Sequence, residues 1–118
     1  MPITITDPTE AAAELKARVE RHERIVFFGG AGVSTASGIP DFRSVGGLHN
    51  QKFDSPPETM LSHGFYEPHP AEFFEFYRTR RIALGAKPNQ AHLKFAELER
   101  EGKLTAVVTQ NIDGLHQA

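Results

Sequence analysis

The sequence predicts an α/β fold built on a parallel β-sheet, of which this chain supplies the opening part. Three observations predict it. Helical segments alternate with two short apolar runs that are rich in β-branched residues. A glycine-rich turn follows the first run, where open parallel sheets bind ligands. Two strands are too few to cover the edges of such a sheet, so we expect them to belong to a larger domain.

The first helix is predicted from signals at its N-terminus. Asp7 suits the N-cap position, Pro8 the first helical position, and Glu10 places an acid three residues beyond the cap. Apolar residues such as Leu15 give this helix one apolar face. The run 25–28 that follows is wholly apolar and ends at glycine, which predicts a buried parallel strand.

The middle of the chain predicts loops and then a helix. Residues 44–70 contain glycine and several prolines, so we expect loop and short helical turns there. A helix is predicted over 70–84, and its apolar ridge is formed by three aromatic residues: Phe73, Phe74 and Tyr77.

The last third of the chain predicts a helix followed by a strand. Asn89 is a suitable N-cap, and Gly102 is a suitable C-terminal stop. Residues 104–109 form a second apolar run and are expected to be a second buried strand. The polar segment "QNIDGLHQ" follows this run directly, so its side chains are expected at the ligand-binding edge of the sheet.

Composition argues against several classes of partner. The 118 residues carry 13 Lys and Arg against 15 Asp and Glu, which is no basic excess for nucleic acid. No apolar run is long enough to span a membrane, and the N-terminus lacks a secretion leader. Cysteine is absent, which agrees with a reducing cytoplasm. We therefore expect a cytoplasmic protein without nucleic-acid or membrane partners; the sequence leaves the oligomeric state undecided.

The turn at 29–32 is the first candidate binding feature. Backbone N–H groups between a strand and a helix can face an anion, and Ser34 and Thr35 can add hydroxyl donors. A tight connection without a ligand has the same composition, so the turn alone is a weak signal. The third glycine of the dehydrogenase fingerprint would fall at Thr35, and the Gly-Lys-Ser/Thr of nucleoside-triphosphatases is missing. The turn favours another kind of nucleotide site.

Two longer motifs are more specific. "GAGVSTASGIPDFRS", followed later by "TQNIDGLHQ", resembles the sirtuin family of NAD-dependent protein-lysine deacylases. The helical stretch between them, "FFEFYRTRRIALGAKPNQAHLKFAELE", is also similar to that family. The resemblance covers residues 25–117. It implies an incomplete Rossmann-like sheet from about 1–43 and 88–118, with a helical small-domain part at about 44–87.

The resemblance also implies which residues bind NAD. They fall in the two motifs: Gly30, Ala31, Gly32, Ser34, Thr35, Ile39, Asp41, Phe42 and Arg43 in the first, and Gln110, Asn111, Ile112 and Asp113 in the second. The glycines would take the pyrophosphate, Phe42 and Asp113 the nicotinamide end, and Arg43 the phosphate–ribose region. A carboxylate such as Asp113 can accept the hydrogens of a carboxamide NH₂ group.

Each of these residues also has an ordinary structural role open to it. Apolar residues such as Ile39 and Ile112 suit a protein core. Asp41 suits a turn cap, and Arg43 suits a solvated surface. Asparagine and aspartate are common in turns after strands, although the position of the second motif beyond a parallel strand favours a ligand site.

The resemblance places the catalytic histidine, the four zinc cysteines and the remaining strands beyond Ala118. His116 belongs to the preceding motif and is not expected to replace the catalytic base, a role decided by geometry and pKa. His63 and His69 lack cysteine partners, so we expect no metal site in this chain. At position 29 the family more often has threonine. We expect Gly29 to make the turn more flexible without affecting NAD binding.

The functional hypothesis is the N-terminal portion of an NAD-dependent protein deacetylase, which removes acetyl groups from protein lysines and releases nicotinamide. Truncated in this way, the chain alone is expected to be inactive. Two alternatives are a non-catalytic NAD-binding module and a fragment that does not fold alone. Tyr77 and Arg80 match the Tyr-x-x-Arg spacing of sirtuins that remove succinyl or malonyl groups; we favour deacetylation and a structural role for both residues.

Overall fold

The computed structural model describes residues 2–45, 47, 55–80 and 82–118, with the side chain of Arg80 left out. Part of the predicted loop at 44–70 therefore lies outside the described residues. The elements in chain order are α1 (Pro8–Arg21), β1 (Ile25–Gly29), a 3₁₀ helix (Ala31–Ser37), α2 (Pro57–Met60), α3 (His63–Tyr66), α4 (Pro70–Arg80), α5 (Gln90–Arg100) and β2 (Leu104–Thr109). None of the described helices is both long enough and apolar enough to cross a membrane.

The two strands pair in parallel, as predicted. Phe27 lies opposite Val107, and Gly29 lies opposite Thr109, with one register shift between Ile25 and Val26. Helices and the 3₁₀ helix connect the strands, so the α/β class and the incomplete parallel sheet are both confirmed. Because the strands are parallel, the segments that follow β1 and β2 leave the sheet at the same edge.

The prediction that both strands are buried is wrong. Successive side chains of a strand point to opposite faces, and in β1 these faces differ. The ring of Phe27 lies 4.1 Å from that of Phe95 on α5, whereas Val26 and Phe28 are 59% and 65% exposed. In β2, Val108 is likewise 48% exposed. A wholly apolar sequence indicates two faces that can be buried, and the described elements cover one of them.

Helix α1 has its predicted cap, but its predicted apolar face is not buried. Asp7 Oδ1 accepts a hydrogen bond from Glu10 N at 2.8 Å, and Pro8 is the first helical residue. No residue of α1, which is described throughout, is buried, and Leu15 is 64% exposed. The helix is joined to the residue that precedes β2, because Lys103 Nζ donates to the carbonyl oxygen of Val19 at 3.3 Å. A groove of about 680 Å³ separates α1 from β1 and α5.

Gly29 has a steric role rather than the expected one of flexibility. A Cβ at this position would lie 2.4 Å from two ring atoms of Phe27, far inside van der Waals contact. The backbone of Gly29 is ordinary strand. Because Phe27 folds its ring over position 29, glycine is the residue that leaves room for it.

Helix α4 ends earlier than predicted, and its buried face is shifted. It ends at Arg80 because Ile82 N bonds to the carbonyl oxygen of Tyr77 at 3.2 Å, five residues back, which breaks the α-helical pattern. Phe76 is 4% exposed, whereas Phe74, predicted for the apolar ridge, is 54% exposed. The buried side is therefore centred on a residue that the ridge left out.

Helix α5 begins and ends as the sequence predicts. Asn89 is the N-cap, and Gly102 ends the helix with a φ of 76°, a conformation that favours glycine. Leu98 of α5 and Leu104 of β2 are buried, at 6% and 7% exposure. Together with the contact between Phe27 and Phe95, they form the core on the covered face of the sheet.

Candidate functional site

The candidate site lies where the two strands end. The turn after β1 and the segment after β2 are adjacent, because Gln110 N donates to the carbonyl oxygen of Gly29 at 3.1 Å and extends the strand pairing by one bond. Asn111 Nδ2 then donates to the carbonyl oxygen of Gly30 at 3.0 Å. The two sequence motifs therefore meet at one edge of the sheet, as predicted from parallel pairing.

Gly30 is a point of close approach between the motifs. A Cβ on this residue would lie 3.0 Å from Gln110 Oε1, so a larger residue would have to displace the end of the Gln110 side chain. A Cβ on Gly32 would meet no atom within 4 Å and would extend into open space beside the turn. Gly32 thus leaves its part of the turn backbone accessible, which is what a phosphate-binding turn requires.

The central contact of the site joins Ser34 to Asp113. Ser34 is 1% exposed, and its Oγ donates to Asp113 Oδ2 at 2.6 Å across 79 residues of sequence. Asn111 Nδ2 also approaches Ser34 Oγ at 3.3 Å. The other carboxylate oxygen, Oδ1, accepts from Leu115 N at 2.9 Å. Since a carboxylate has about four acceptor positions, Asp113 keeps capacity for a further donor.

A small cavity of about 120 Å³ surrounds this contact. Both motifs contribute to its lining: Ala31, Ser34, Ile39, Pro40 and Phe42 from the first, and Gln110, Asn111, Ile112 and Asp113 from the second. The cavity thus combines one carboxylate, one buried hydroxyl and two amides with an apolar wall. Ile39 in that wall is 9% exposed, whereas Ile112 is 59% exposed.

A larger and more open cavity of about 530 Å³ adjoins the first and shares part of its lining. Its residues are Ala31, Gly32, Asp41, Phe42, Arg43, Glu58 and Gln110. Arg43 is the positively charged residue among those that line this cavity. Glu58, on α2, was missed by the sequence analysis, because it belongs to no motif and lies in a segment read as loops and short turns.

Two of the predicted site residues are engaged with their own turns. Thr35 is exposed, its Oγ1 donates to the carbonyl oxygen of Gly32 at 3.0 Å, and it lines neither described cavity. Asp41 accepts hydrogen bonds from the backbone N–H and the hydroxyl of Ser44, which is the turn-capping role that its residue type allows. Asp41 nevertheless lines the larger cavity.

Tyr77 lies apart from these cavities. Its ring stacks on that of Phe73 at 5.9 Å, and it is not among the described residues that line either cavity. The side chain of Arg80 lies outside the described residues. The structural role that we favoured for Tyr77 remains a prediction.

His116 belongs to a different cluster. Its ring lies 4.8 Å from that of His92 and 5.9 Å from that of Phe27, beside a separate cavity of about 190 Å³. Burial lowers the pKa of His92 below its ordinary value, the charge of His116 lowers it further, and Asp113 partly offsets both. Among the described residues, no group of three or more His, Cys, Asp or Glu side chains could hold a metal ion.

Comparison with known proteins agrees with this geometry. The Sir2 family model matches residues 30–118. An NAD-dependent protein deacetylase of Clostridium acetobutylicum is 60% identical over 106 residues, which is 88% of this chain and 43% of that protein. The chain therefore spans less than half the length of that relative.

Two solved structures have the same fold over most of the chain. A Sir2 homolog–NAD complex superposes with a TM-score of 0.75 at 36% identity, covering 89% of this chain and 40% of the other. A Sir2 protein bound to acetylated peptide gives a TM-score of 0.69 at 38% identity, covering 89% and 40%. Since the family model spans both motifs and the edge of the sheet where they meet, this chain belongs to the Sir2 family.

Proposed function

We propose that this chain forms the NAD-binding part of an NAD-dependent protein deacetylase. The observation that carries the proposal is the hydrogen bond between Ser34 and Asp113, made inside a cavity that both motifs line. Support comes from a relative named NAD-dependent protein deacetylase and from the similarity to a Sir2 homolog solved with NAD.

The small cavity suits the nicotinamide end of the cofactor. Asp113 supplies acceptor positions for a carboxamide NH₂ group, and Ser34 holds its carboxylate in place. The apolar wall that includes Ile39 disfavours charge on a bound ring. NAD would supply the ribose carbon that takes up the acyl oxygen, and loss of nicotinamide converts a cationic ring to a neutral one. A site that binds the departing state better than the bound cation promotes that bond cleavage.

The larger cavity suits the pyrophosphate. Gly32 leaves the backbone of the turn open, and Ala31 lines both cavities. Arg43 places a guanidinium at the same opening, and guanidinium groups bind phosphate oxygens in a bidentate manner. Gln110 and Asn111 would contact the nicotinamide ribose. Direct contacts from Thr35 and Asp41 to NAD remain predictions.

We also propose a substrate and a cellular location. An acetylated lysine of a protein is the proposed substrate, supported by the similarity to a Sir2 protein bound to acetylated peptide. The cytoplasm is the proposed location, supported by the absence of cysteine from the sequence. The general-base histidine and the zinc ligands of a complete deacetylase would be supplied by residues other than those of this chain.

Calorimetric titration of the purified chain with NAD tests the proposal, with Asp113→Asn as the variant. The affinity for NAD should fall roughly 10-fold or more, because hydrogen bonds to a charged acceptor are stronger than neutral ones. Asp7→Asn makes the same charge change at the exposed cap of α1, outside both cavities, and should leave the affinity unchanged. A wild-type chain that melts cooperatively but gives no binding heat would contradict the proposal, as would equal affinities for all three proteins.

Introduced into a longer protein that completes the domain, Asp113→Asn should sharply reduce nicotinamide exchange. Unchanged exchange would remove Asp113 from its proposed role.

A further inference from the structure

Asn89 joins α5 to the turn that carries Ser34. Its side-chain Nδ2 donates to the carbonyl oxygen of Val33 at 2.7 Å and to Ser37 Oγ at 3.0 Å, 56 and 52 residues away in sequence. Its Oδ1 accepts from Ala91 N at 2.9 Å and caps α5. One amide group therefore caps a helix with its oxygen and holds a second element with its nitrogen.

The contacts of Asn89 define which residue types can both cap α5 and donate to Val33. The cap needs an acceptor, and the carbonyl oxygen of Val33 needs a donor, so the side chain must carry both on a short stem. Aspartate can cap the helix but cannot donate to Val33. Serine can also cap it, but its single hydroxyl would have to replace both ends of the amide. The orientation of the amide follows from its partners, because the reverse would place oxygen against oxygen at Val33.

The element that Asn89 holds needs external support. The 3₁₀ helix Ala31–Ser37 has seven residues, whereas runs longer than three or four residues are uncommon because the hydrogen-bond geometry is poor. Two bonds that close this segment are long: Val33 N to Gly30 O and Ile39 N to Ser34 O, both at 3.3 Å. Ser34 lies between the two residues that Asn89 contacts.

The backbone of Asn89 is itself held by its own helix. Asn89 N donates to His92 Nδ1 at 3.1 Å, which completes a capping box. His92 is 5% exposed, so this contact is fixed within the core. A continuous set of contacts therefore runs from His92 through Asn89 to the 3₁₀ helix, and from Ser34 to Asp113.

We propose that Asn89 is a positioning residue for the candidate site: its amide nitrogen fixes the 3₁₀ helix so that Ser34 meets Asp113. Asn89 is not among the residues that line the two described cavities of the site, so it acts through the turn and does not touch the ligand. The part of this inference that concerns NAD affinity depends on the proposed function. The part that concerns the order of the turn does not.

The deciding variant is Asn89→Asp, which keeps the α5 cap and removes the donor to Val33. Amide hydrogen exchange, followed by NMR, should become roughly 3- to 10-fold faster at Gly38 and Ile39, the effect of losing one hydrogen bond. The amides of α5 should keep their rates. Gln90→Glu adds the same charge at the next, exposed position and should change none of these rates. NAD affinity should fall by a similar factor in Asn89→Asp alone.

Unchanged exchange at Gly38 and Ile39 in Asn89→Asp would overturn the proposal. So would a uniform acceleration across β1 and β2, because Asn89 would then serve general stability. Should the variant not fold, Ser37→Ala removes one of the two acceptors and must accelerate the same two amides by a smaller factor. A wild-type chain that binds no NAD would count against the proposed function, while the exchange rates would still decide the role of Asn89.

Discussion

The edge of the sheet and the segment α2–α4 are held together in different ways. At the edge, hydrogen bonds connect residues far apart in sequence, such as Ser34 with Asp113 and Asn89 with Val33. In α2–α4, the described ring contacts join residues close in sequence: Tyr66 lies 5.0 Å from Phe73 and 5.7 Å from Phe74. Hydrogen bonds require short distances and near-linear geometry, whereas aromatic pairs accept both offset-stacked and edge-to-face arrangements with centroids about 4.5–7 Å apart.

This difference has a consequence for dynamics. A segment held by local contacts can open without the rest of the fold, while an edge tied by long-range bonds opens only when several elements separate. We therefore expect α2–α4 to exchange its amides faster than β1 and β2. The division of the chain into a sheet part at about 1–43 and 88–118 and a helical part at about 44–87 remains a prediction, and the first variant below tests it.

The largest effect is expected for Phe76→Ala. Phe76 is 4% exposed, and truncating a buried phenylalanine costs about 3–5 kcal/mol of unfolding free energy. If the helical segment is a separate unit, its amides should lose protection while those of β1 and β2 keep theirs, as measured by hydrogen exchange. Phe74→Ala, at a 54% exposed position of the same helix, is the matched control and should have a smaller effect, because it removes an exposed ring that contacts Tyr66. If the amides of β1 and β2 lost as much protection as those of the helical segment, the two regions would unfold as one cooperative unit.

Ser34→Ala should have the next largest effect, confined to the edge of the sheet. It removes the donor to Asp113 and leaves a partly buried carboxylate oxygen without that partner, which costs about 1–3 kcal/mol. Chemical denaturation measures the change in unfolding free energy. Thr35→Ala removes a neighbouring hydroxyl whose hydrogen bond among the described residues lies within its own turn, and it serves as the control. A larger loss of unfolding free energy in Thr35→Ala than in Ser34→Ala would contradict the prediction that the long-range bond stabilises more than the local one.

Acid should weaken the covered side of the sheet through His92. Its pKa is lowered mainly because burial penalises the imidazolium; His116 adds to this, Asp113 opposes it, and Glu99 lines the same cavity. Between the folded pKa and the ordinary 6.5, the unfolded chain binds more protons, so stability is full above pH 6.5 and falls as the pH drops below it.

Melting temperatures measured from pH 7.5 down to pH 5 test this dependence. The fall should be smaller in His92→Gln, which cannot titrate, and unchanged in His22→Gln, at the exposed C-cap of α1. A His92→Gln profile identical to that of the wild type would assign the acid sensitivity to other groups.

The smallest effect is expected for Lys94→Gln. Its Nζ lies 3.1 Å from Glu97 Oε1, but the side chains of Lys94 and Glu97 are 55% and 50% exposed. Exposed ion pairs contribute at most about 1 kcal/mol to the unfolding free energy. The unfolding free energy should change by about 0.5 kcal/mol or less. A loss as large as that of Ser34→Ala would show that sequence distance and burial do not separate strong contacts from weak ones here.

Much of the fold could be read directly from local signals. Asp7 and Asn89 as N-caps, Gly102 as a helix stop and the two apolar runs as strands all depend on neighbouring residues, and the structure has each of them. Burial was predicted less well. The exposure of Phe28 and the buried position of Phe76 depend on which elements lie opposite them, which no local pattern contains.

Local signals were enough to predict the glycine turn, the two motifs and, through parallel pairing, the edge where they meet. Caps, strand propensity and glycine conformations act over a few residues, so a linear pattern contains them. Which polar groups pair across that edge depends on the three-dimensional arrangement of the elements. Ser34 reaches Asp113 and Asn89 reaches Val33 because β1, β2 and α5 bring together residues more than fifty positions apart. Hydrogen bonds require contact within about 3 Å, and distance in space is the quantity that a linear pattern does not specify.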